Sequence, residues 1–168
     1  MIRILGAVAV IAGCSSFGFS LAAAARRECG HLRCLIRAIQ HMQWELKYRM
    51  TELPELCRLA GENCSGAVSD IFGEMAEKLH RREVIDVSAA FLSEVNRREL
   101  PRKVRWNLKQ LAQCLGRYDL EGQLQGLEAV RQQCRADLNA LESDRAERMR
   151  SYQTLAVCAG TALVILFF

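Results

Sequence analysis

The sequence predicts an all-α protein, an antiparallel helical bundle of about six helices flanked by an N-terminal and a C-terminal transmembrane helix. Three observations predict this fold class. The two ends of the chain are apolar and uncharged, from Ile4 to Ala25 and from Thr154 to Phe168, whereas the middle is polar. Apolar residues in the middle recur at spacings of three and four, and no alternating strand pattern of useful length occurs. The chain contains only two prolines, so little interrupts long helices.

The apolar ends divide the chain into three parts. Residues 1–25 are predicted to form the first transmembrane helix, because the uncharged stretch would rise about 33 Å against a hydrocarbon core of about 30 Å. Residues 151–168 are predicted to form the second, at the short end of the spanning range of roughly 17–25 residues. Residues 26–150 are then a helical domain held between two spans in the cell membrane.

The charge distribution predicts the side of the membrane. The chain has 23 Lys and Arg residues, and all but Arg3 lie between Arg26 and Arg150. Basic residues that flank spans remain in the cytoplasm. We therefore expect a cytoplasmic middle domain, with both termini outside.

Two alternatives place the bundle outside. Ile11-Ala12-Gly13-Cys14 resembles a lipoprotein cleavage box, which would leave a membrane-anchored lipoprotein. The apolar run continues past Cys14, however, and the basic residues would lie on the wrong side. A sensory helical bundle would also face outward, but it needs an output module after the second span, and this sequence ends at Phe168.

The first bundle helix is predicted to continue directly from the first span. Its apolar stripe consists of Leu32, Leu35, Ile36, Ile39, Met42, Leu46 and Met50. A second short helix is expected from Leu53 to about Ala60, with Gly61 as its C-terminal cap. A third is expected from about Ser65 to Arg82.

Capping residues predict the later boundaries. Asp86 suits the N-cap of a fourth helix, and Pro101 opens a fifth. Gly116 suits the residue just after that helix, and Asp119 the cap of the last. The last helix is predicted to run unbroken into the second span, with apolar positions at Leu120, Leu124, Leu127, Cys134, Leu138 and Leu141.

No sequence motif indicates catalysis. The chain lacks a Gly-rich phosphate loop, a His-Glu-x-x-His motif and a nucleophile elbow, and its three histidines are expected to be partly exposed on helices. The eight cysteines include no Cys-x-x-Cys pair and are interpreted as small core residues in a reducing compartment. We therefore expect no enzyme activity, no cofactor, no metal and no small-molecule substrate.

Two surfaces are candidates for partner contacts. The basic cluster from Arg97 to Lys109 includes Arg102 and Arg105 and is explained most simply as a solvated helix face. Contact with anionic membrane lipid or an acidic partner is the next interpretation. Nucleic acid is disfavoured because the domain is tethered to a membrane and its net charge is small. Arg117 and Asp119 lie in the turn before the last helix. That turn could dock a partner, although glycine geometry and helix capping alone explain its residues.

The whole chain resembles the stage III sporulation protein AB family of endospore-forming Firmicutes. The matching stretches, in order, are LGA at 5–7, SSFGF at 15–19, TELPEL at 51–56, IFGEMAEKL at 71–79 and LGRYDLEGQ at 115–123. Each motif is weak alone, and the ordered set is more specific.

The resemblance implies a non-enzymatic platform component of a channel between mother cell and forespore. The family is similar to the cytoplasmic domains of the type II secretion F protein. By that analogy, the cytoplasmic domain would dock a secretion-type ATPase, stage III sporulation protein AA, in the mother cell. The spans would contact other membrane subunits of the channel.

Overall fold

The computed structural model describes the backbone of residues 2–116 and 119–167, and the side chains of residues 23–116 and 119–144. Every regular element in these ranges is a helix. The six helices are α1 (Ile2–Arg49), α2 (Leu53–Glu62), α3 (Ala67–His80), α4 (Val87–Arg97), α5 (Arg102–Cys114) and α6 (Leu120–Phe167). The all-α prediction is confirmed, and the first and last helices run without a break, as their sequences predicted.

The longest helices, α1 and α6, pack against each other in opposite directions. Arg33 contacts Glu142, whereas Gln43, later in α1, contacts Glu128, which is earlier in α6. Helices α2 and α3 pack as one pair and α4 and α5 as another; α1 contacts both α2 and α5, and α5 also packs on α6. The bundle is therefore antiparallel where α1 meets α6, as predicted.

A single core fills the space between the helices. The predicted stripe of α1 from Leu32 to Leu46 is buried, and it meets aromatic residues of α3 and α4. Phe72 and Phe91 pack edge to face with ring centroids 5.5 Å apart, a favoured aromatic geometry. Burial of this stripe keeps the later helices on α1 and thereby fixes which faces of α5 and α6 remain exposed.

The predicted caps form where side chains can satisfy exposed backbone groups. The Asp86 carboxylate accepts hydrogen bonds from the backbone N–H groups of Ser88 (2.9 Å) and Ala89 (3.2 Å). The Asp119 carboxylate accepts one from Gly122 at 3.2 Å. Gly116 has a φ of +73°, which a residue with a side chain rarely adopts. These contacts fix the starts of α4 and α6 and the end of α5.

Three sequence predictions about individual residues are wrong. Gly61 does not end α2; it is buried inside the helix because α3 packs closely there, and an added Cβ atom would lie 3.3 Å from the Ser69 carbonyl oxygen and 3.4 Å from the Phe72 Cβ atom. Met50 is 73% exposed because the helix ends at Arg49 and the chain turns there with a φ of +49°. Leu120 is exposed because it lies in the first turn of α6, ahead of the buried residues.

Within the described side chains, no helix is long and apolar enough to cross a membrane. The residues with described side chains do not include 1–22 of the first predicted span or any of the second, 151–168.

Candidate functional site

A groove between α5 and α6 collects most of the basic cluster. We call it the basic groove; it has a volume of about 510 Å³ and is lined by Arg102, Lys103, Arg105, Trp106, Lys109, Gln133 and Asp137. Four of these seven side chains are cationic and one is anionic. The groove is therefore positively charged.

The amphipathic pattern of α5 creates this groove. Val104, Leu108 and Leu111 are fully buried against the core. Other positions of α5 face away from the core because a helix turns about 100° per residue. Arg102 and Trp106 are therefore exposed on the outer face, and Trp106 leaves 57% of its surface accessible.

The single carboxylate in the groove is already engaged within the protein. The Asp137 Oδ2 atom accepts a 2.8 Å hydrogen bond from the Asn107 amide, and its Oδ1 atom lies 3.8 Å from the Lys103 Nζ atom. Asn107 is fully buried and also donates to the Lys103 carbonyl oxygen at 2.9 Å. The negative charge of Asp137 consequently offsets the positive charge of Lys103. The charges of Arg102, Arg105 and Lys109 remain available to an anion.

Two buried polar atoms beside the groove have no hydrogen-bond partner among the described residues: the Nε atom of Arg105 and the Oδ1 atom of Asn107. Another amino group of Arg105 donates to the Arg98 carbonyl oxygen at 3.4 Å, which holds the guanidinium in place. An unsatisfied buried donor is costly. An acceptor that reached the Arg105 Nε atom would remove that cost.

The corner between α5 and α6 lies at the opposite end of α5 from Arg102. A side chain on Gly116 would contact Val87 and Leu53, so the corner packs against the starts of α4 and α2. Asp119 is exposed and its carboxylate caps α6, while Arg117 lies outside the described residues. Along α6, Asp119 and Asp137 are 18 residues apart, about 27 Å at 1.5 Å per residue. The candidates Arg102 and Arg105 are therefore not brought together with Asp119.

Sequence reasoning missed an aromatic surface near the corner, at the end of α1. We call it the aromatic patch: Trp44, Tyr48 and Met50, with exposures of 49%, 64% and 73%. The Arg49 guanidinium lies 5.6 Å from the centre of the Trp44 ring, and the Lys47 Nζ atom lies 5.4 Å from that of Tyr48. The spacing of the residues could have predicted this patch. Trp44 and Tyr48 are four residues apart, so they share a helix face, and both lie off the buried stripe.

Several ion pairs elsewhere are structural. The buried Glu94 carboxylate, 1% exposed, lies 2.5 Å from the Lys78 Nζ atom, and this hydrogen bond lowers the pKa of Glu94. In the part of the chain with described side chains, no group of three or more His, Cys, Asp or Glu residues is arranged to hold a metal ion.

The geometry defines a class of protein: a helical bundle that displays a basic groove between α5 and α6 and an aromatic patch at the end of α1. The family model for stage III sporulation protein AB matches residues 3–168, and the chain belongs to that family, which implies a role in sporulation. A solved structure of stage III sporulation protein AB (SpoIIIAB) is 18% identical, with a TM-score of 0.63 over 72% of this chain and 98% of that one. At that identity the likeness shows the shared fold. No curated protein matches the chain.

Proposed function

We propose that this chain is a non-enzymatic platform subunit of the sporulation channel and that its basic groove docks an acidic surface of a cytoplasmic secretion-type ATPase. The observation that carries the proposal is the groove itself. Arg102, Arg105 and Lys109 converge beside an exposed Trp106, and the one carboxylate is engaged internally. Membership of the stage III sporulation protein AB family supports the sporulation context.

Two membrane spans, at 1–25 and 151–168, form part of the proposal. The absence of charge from Ile4 to Ala25 and from Thr154 to Phe168 supports them, and the basic residues between them support a cytoplasmic bundle. A reporter that is active only outside the cytoplasm should be active when fused after Phe168. It should be inactive when inserted at Ile85, an exposed residue between α3 and α4. The opposite pattern would reverse the topology.

Distance favours a protein partner over membrane lipid for the basic groove. Residue 151 lies 14 residues beyond Asp137 on α6, which corresponds to about 21 Å along the helix. The headgroup layer on one side of a bilayer is only about 5–8 Å thick. Helix α5 runs antiparallel to α6, so Lys109 lies farther from residue 151 than Arg102 does. The groove therefore suits an acidic protein surface above the membrane.

A binding experiment tests this docking surface. The full chain in lipid nanodiscs should bind the secretion-type ATPase, and Arg102→Glu with Arg105→Glu should weaken binding by about tenfold or more. Arg82→Glu with Arg135→Glu reverses two exposed charges outside the groove and should leave binding unchanged. Circular dichroism should show that both variants remain folded.

Additional variants and lipid compositions identify which part of the proposal fails. Arg102→Glu with Lys109→Glu spares the partly buried Arg105, so a similar loss of affinity would exclude a folding defect at that residue. Nanodiscs of neutral and of anionic lipid report contact of the groove with lipid directly. If the groove substitutions changed only the binding to anionic lipid, docking of a protein would be overturned. If the wild-type chain bound no such ATPase and loss of the gene left spore formation intact, the platform assignment would be wrong.

A further inference from the structure

Two cysteines that are far apart in sequence, Cys34 and Cys64, come close together in the bundle. Cys34 lies on α1, 3% exposed, and Cys64 lies in the loop between α2 and α3, partly exposed. The Cys34 thiol donates a 3.5 Å hydrogen bond to the carbonyl oxygen of Asn63, the residue before Cys64. Both cysteines are free. The fold therefore places two unbonded sulfur atoms beside each other.

The environment of this pair favours a reactive thiolate. The hydrogen bond from Cys64 lowers the pKa of Cys34 to about 7, with a further contribution from the positive charge of Arg37. The neighbouring thiolate in turn raises the pKa of Cys64. Near neutral pH Cys34 is therefore the sulfur that loses its proton first, and Cys64 keeps its own.

Other described thiols lack this environment. Burial raises the pKa of Cys57 and of Cys134 to about 12, so both remain protonated and unreactive. These two cysteines fill the core, which is the role that the sequence predicted for all of them.

We propose that Cys34 and Cys64 form a reversible disulfide that joins α1 to the loop between α2 and α3. The Cys34 Sγ atom lies 3.5 Å from the backbone oxygen of the residue next to Cys64, and a disulfide needs the two sulfur atoms about 2.05 Å apart. The loop can supply this movement, because Ser65 is exposed and Gly66, with a φ of +63°, ends the loop. The inference does not depend on the proposed channel function.

The chemistry is exchange with a small-molecule disulfide such as oxidised glutathione. The Cys34 thiolate takes the proton of the more accessible Cys64, whose sulfur attacks one sulfur of the oxidant. The S–S bond of the oxidant breaks, and the small thiolate that is released takes this proton from Cys34. The Cys34 sulfur, as thiolate, then attacks Cys64 in the mixed disulfide and releases the second small thiolate. Two protein thiols are oxidised to one disulfide, the oxidant is reduced to two small thiols, and the protons of the protein thiols pass to them.

The bond would change how the bundle moves. Helices α2 and α3 pack mainly on each other, and α2 joins the pair to α1. A disulfide from Cys34 to Cys64 would add a covalent link to that attachment. The α2–α3 pair would then be held on α1 by a covalent bond as well as by packing under oxidising conditions, and by packing alone after reduction.

Thiol counting on the full chain tests the proposal. The purified protein in detergent is incubated with oxidised glutathione, quenched with acid, unfolded and labelled with a maleimide. The number of labelled cysteines should fall from eight to six and return to eight after reduction. Trypsin places Cys34 and Cys64 on different peptides, so mass spectrometry of the unmodified protein should find these two peptides linked.

Matched variants separate this pair from general oxidation. Cys34→Ser or Cys64→Ser should abolish the loss of two labels, whereas Cys57→Ser should still lose two of its seven remaining labels. Eight labels after oxidation, or a disulfide mapped to any other pair, would overturn the proposal. Linked peptides from the wild-type protein would sustain it even if a serine variant failed to fold.

Discussion

Replacing Gly126 by Ala should weaken the bundle, although the same change usually strengthens a helix. Gly126 lies inside α6, opposite the last residue of α5. A Cβ atom at this position would lie 2.7 Å from the Cys114 Sγ atom and 3.0 Å from its Cβ atom. The sulfur can rotate away, but the Cβ contact remains. Helices α5 and α6 would therefore have to separate, which would also widen the basic groove.

The magnitude is the difference between two opposing effects. Removing a glycine from the interior of a helix stabilises it by about 1 kcal/mol. Overpacking a filled site costs about 1–3 kcal/mol. Gly126→Ala should therefore lower the free energy of unfolding by up to about 2 kcal/mol, since the clash involves a Cβ atom as well as a movable sulfur.

Gly73 provides a matched control. It lies inside α3, and an added Cβ atom there would have no neighbour within 4 Å. Gly73→Ala should therefore raise the free energy of unfolding by about 1 kcal/mol. Both substitutions add one methyl group and reduce the flexibility of the backbone equally. They differ only in what the new methyl group contacts.

Urea unfolding of residues 26–150, followed by circular dichroism, measures both effects, because this segment contains the entire described core. Combining Gly126→Ala with Cys114→Ala should recover part of the lost stability, since the sulfur contact disappears while the Cβ contact stays. If Gly126→Ala stabilised the segment as much as Gly73→Ala did, the close packing of α5 on α6 would be wrong.

Three further predictions concern the core, a cap and pH. Ile39→Ala should lower the free energy of unfolding by about 2–5 kcal/mol, because Ile39 is fully buried; urea unfolding measures the loss. Asp86→Ala should cost about 1 kcal/mol in the same assay by removing the cap of α4. Hydrogen bonds, first from Arg131 and then from Gln43, lower the pKa of Glu128 to about 2. Its contribution to stability is therefore complete above the unfolded pKa of about 4.3 and disappears as the pH falls toward 2. Glu128→Gln should be less stable than the wild type at pH 7, and acid titration should narrow that difference.

Local signals in the sequence were sufficient to predict the order of the helices. Asp86 and Asp119 are short acceptors placed just before apolar periodic segments, and both form the expected caps. Pro101 precedes α5, as a residue with a fixed φ and no donor can. These features depend on neighbours within a few residues, which is why sequence alone could predict them.

Features that depend on contacts between helices could not be predicted in this way. Gly61 resembled a helix terminus, but its function is to let α3 approach α2. The separation of Arg102 from Asp119 follows from the antiparallel packing of α5 on α6, and no local pattern encodes it. Cys34 and Cys64 meet only because the α2–α3 loop folds back on α1. Spacing along the chain therefore gave no indication of the pair.

The antiparallel pairing of α1 with α6 also sets an order for biosynthesis. Contacts between these helices join residues 85 and 109 positions apart, as in Gln43–Glu128 and Arg33–Glu142. During translation α1 leaves the ribosome long before α6 exists, so the side of α1 that packs on α6 stays uncovered meanwhile. Contacts between residues so distant in sequence form late and slow folding. The nascent chain is thus most exposed to aggregation and proteolysis just before α6 is complete, and chaperones would have the longest opportunity to bind it then.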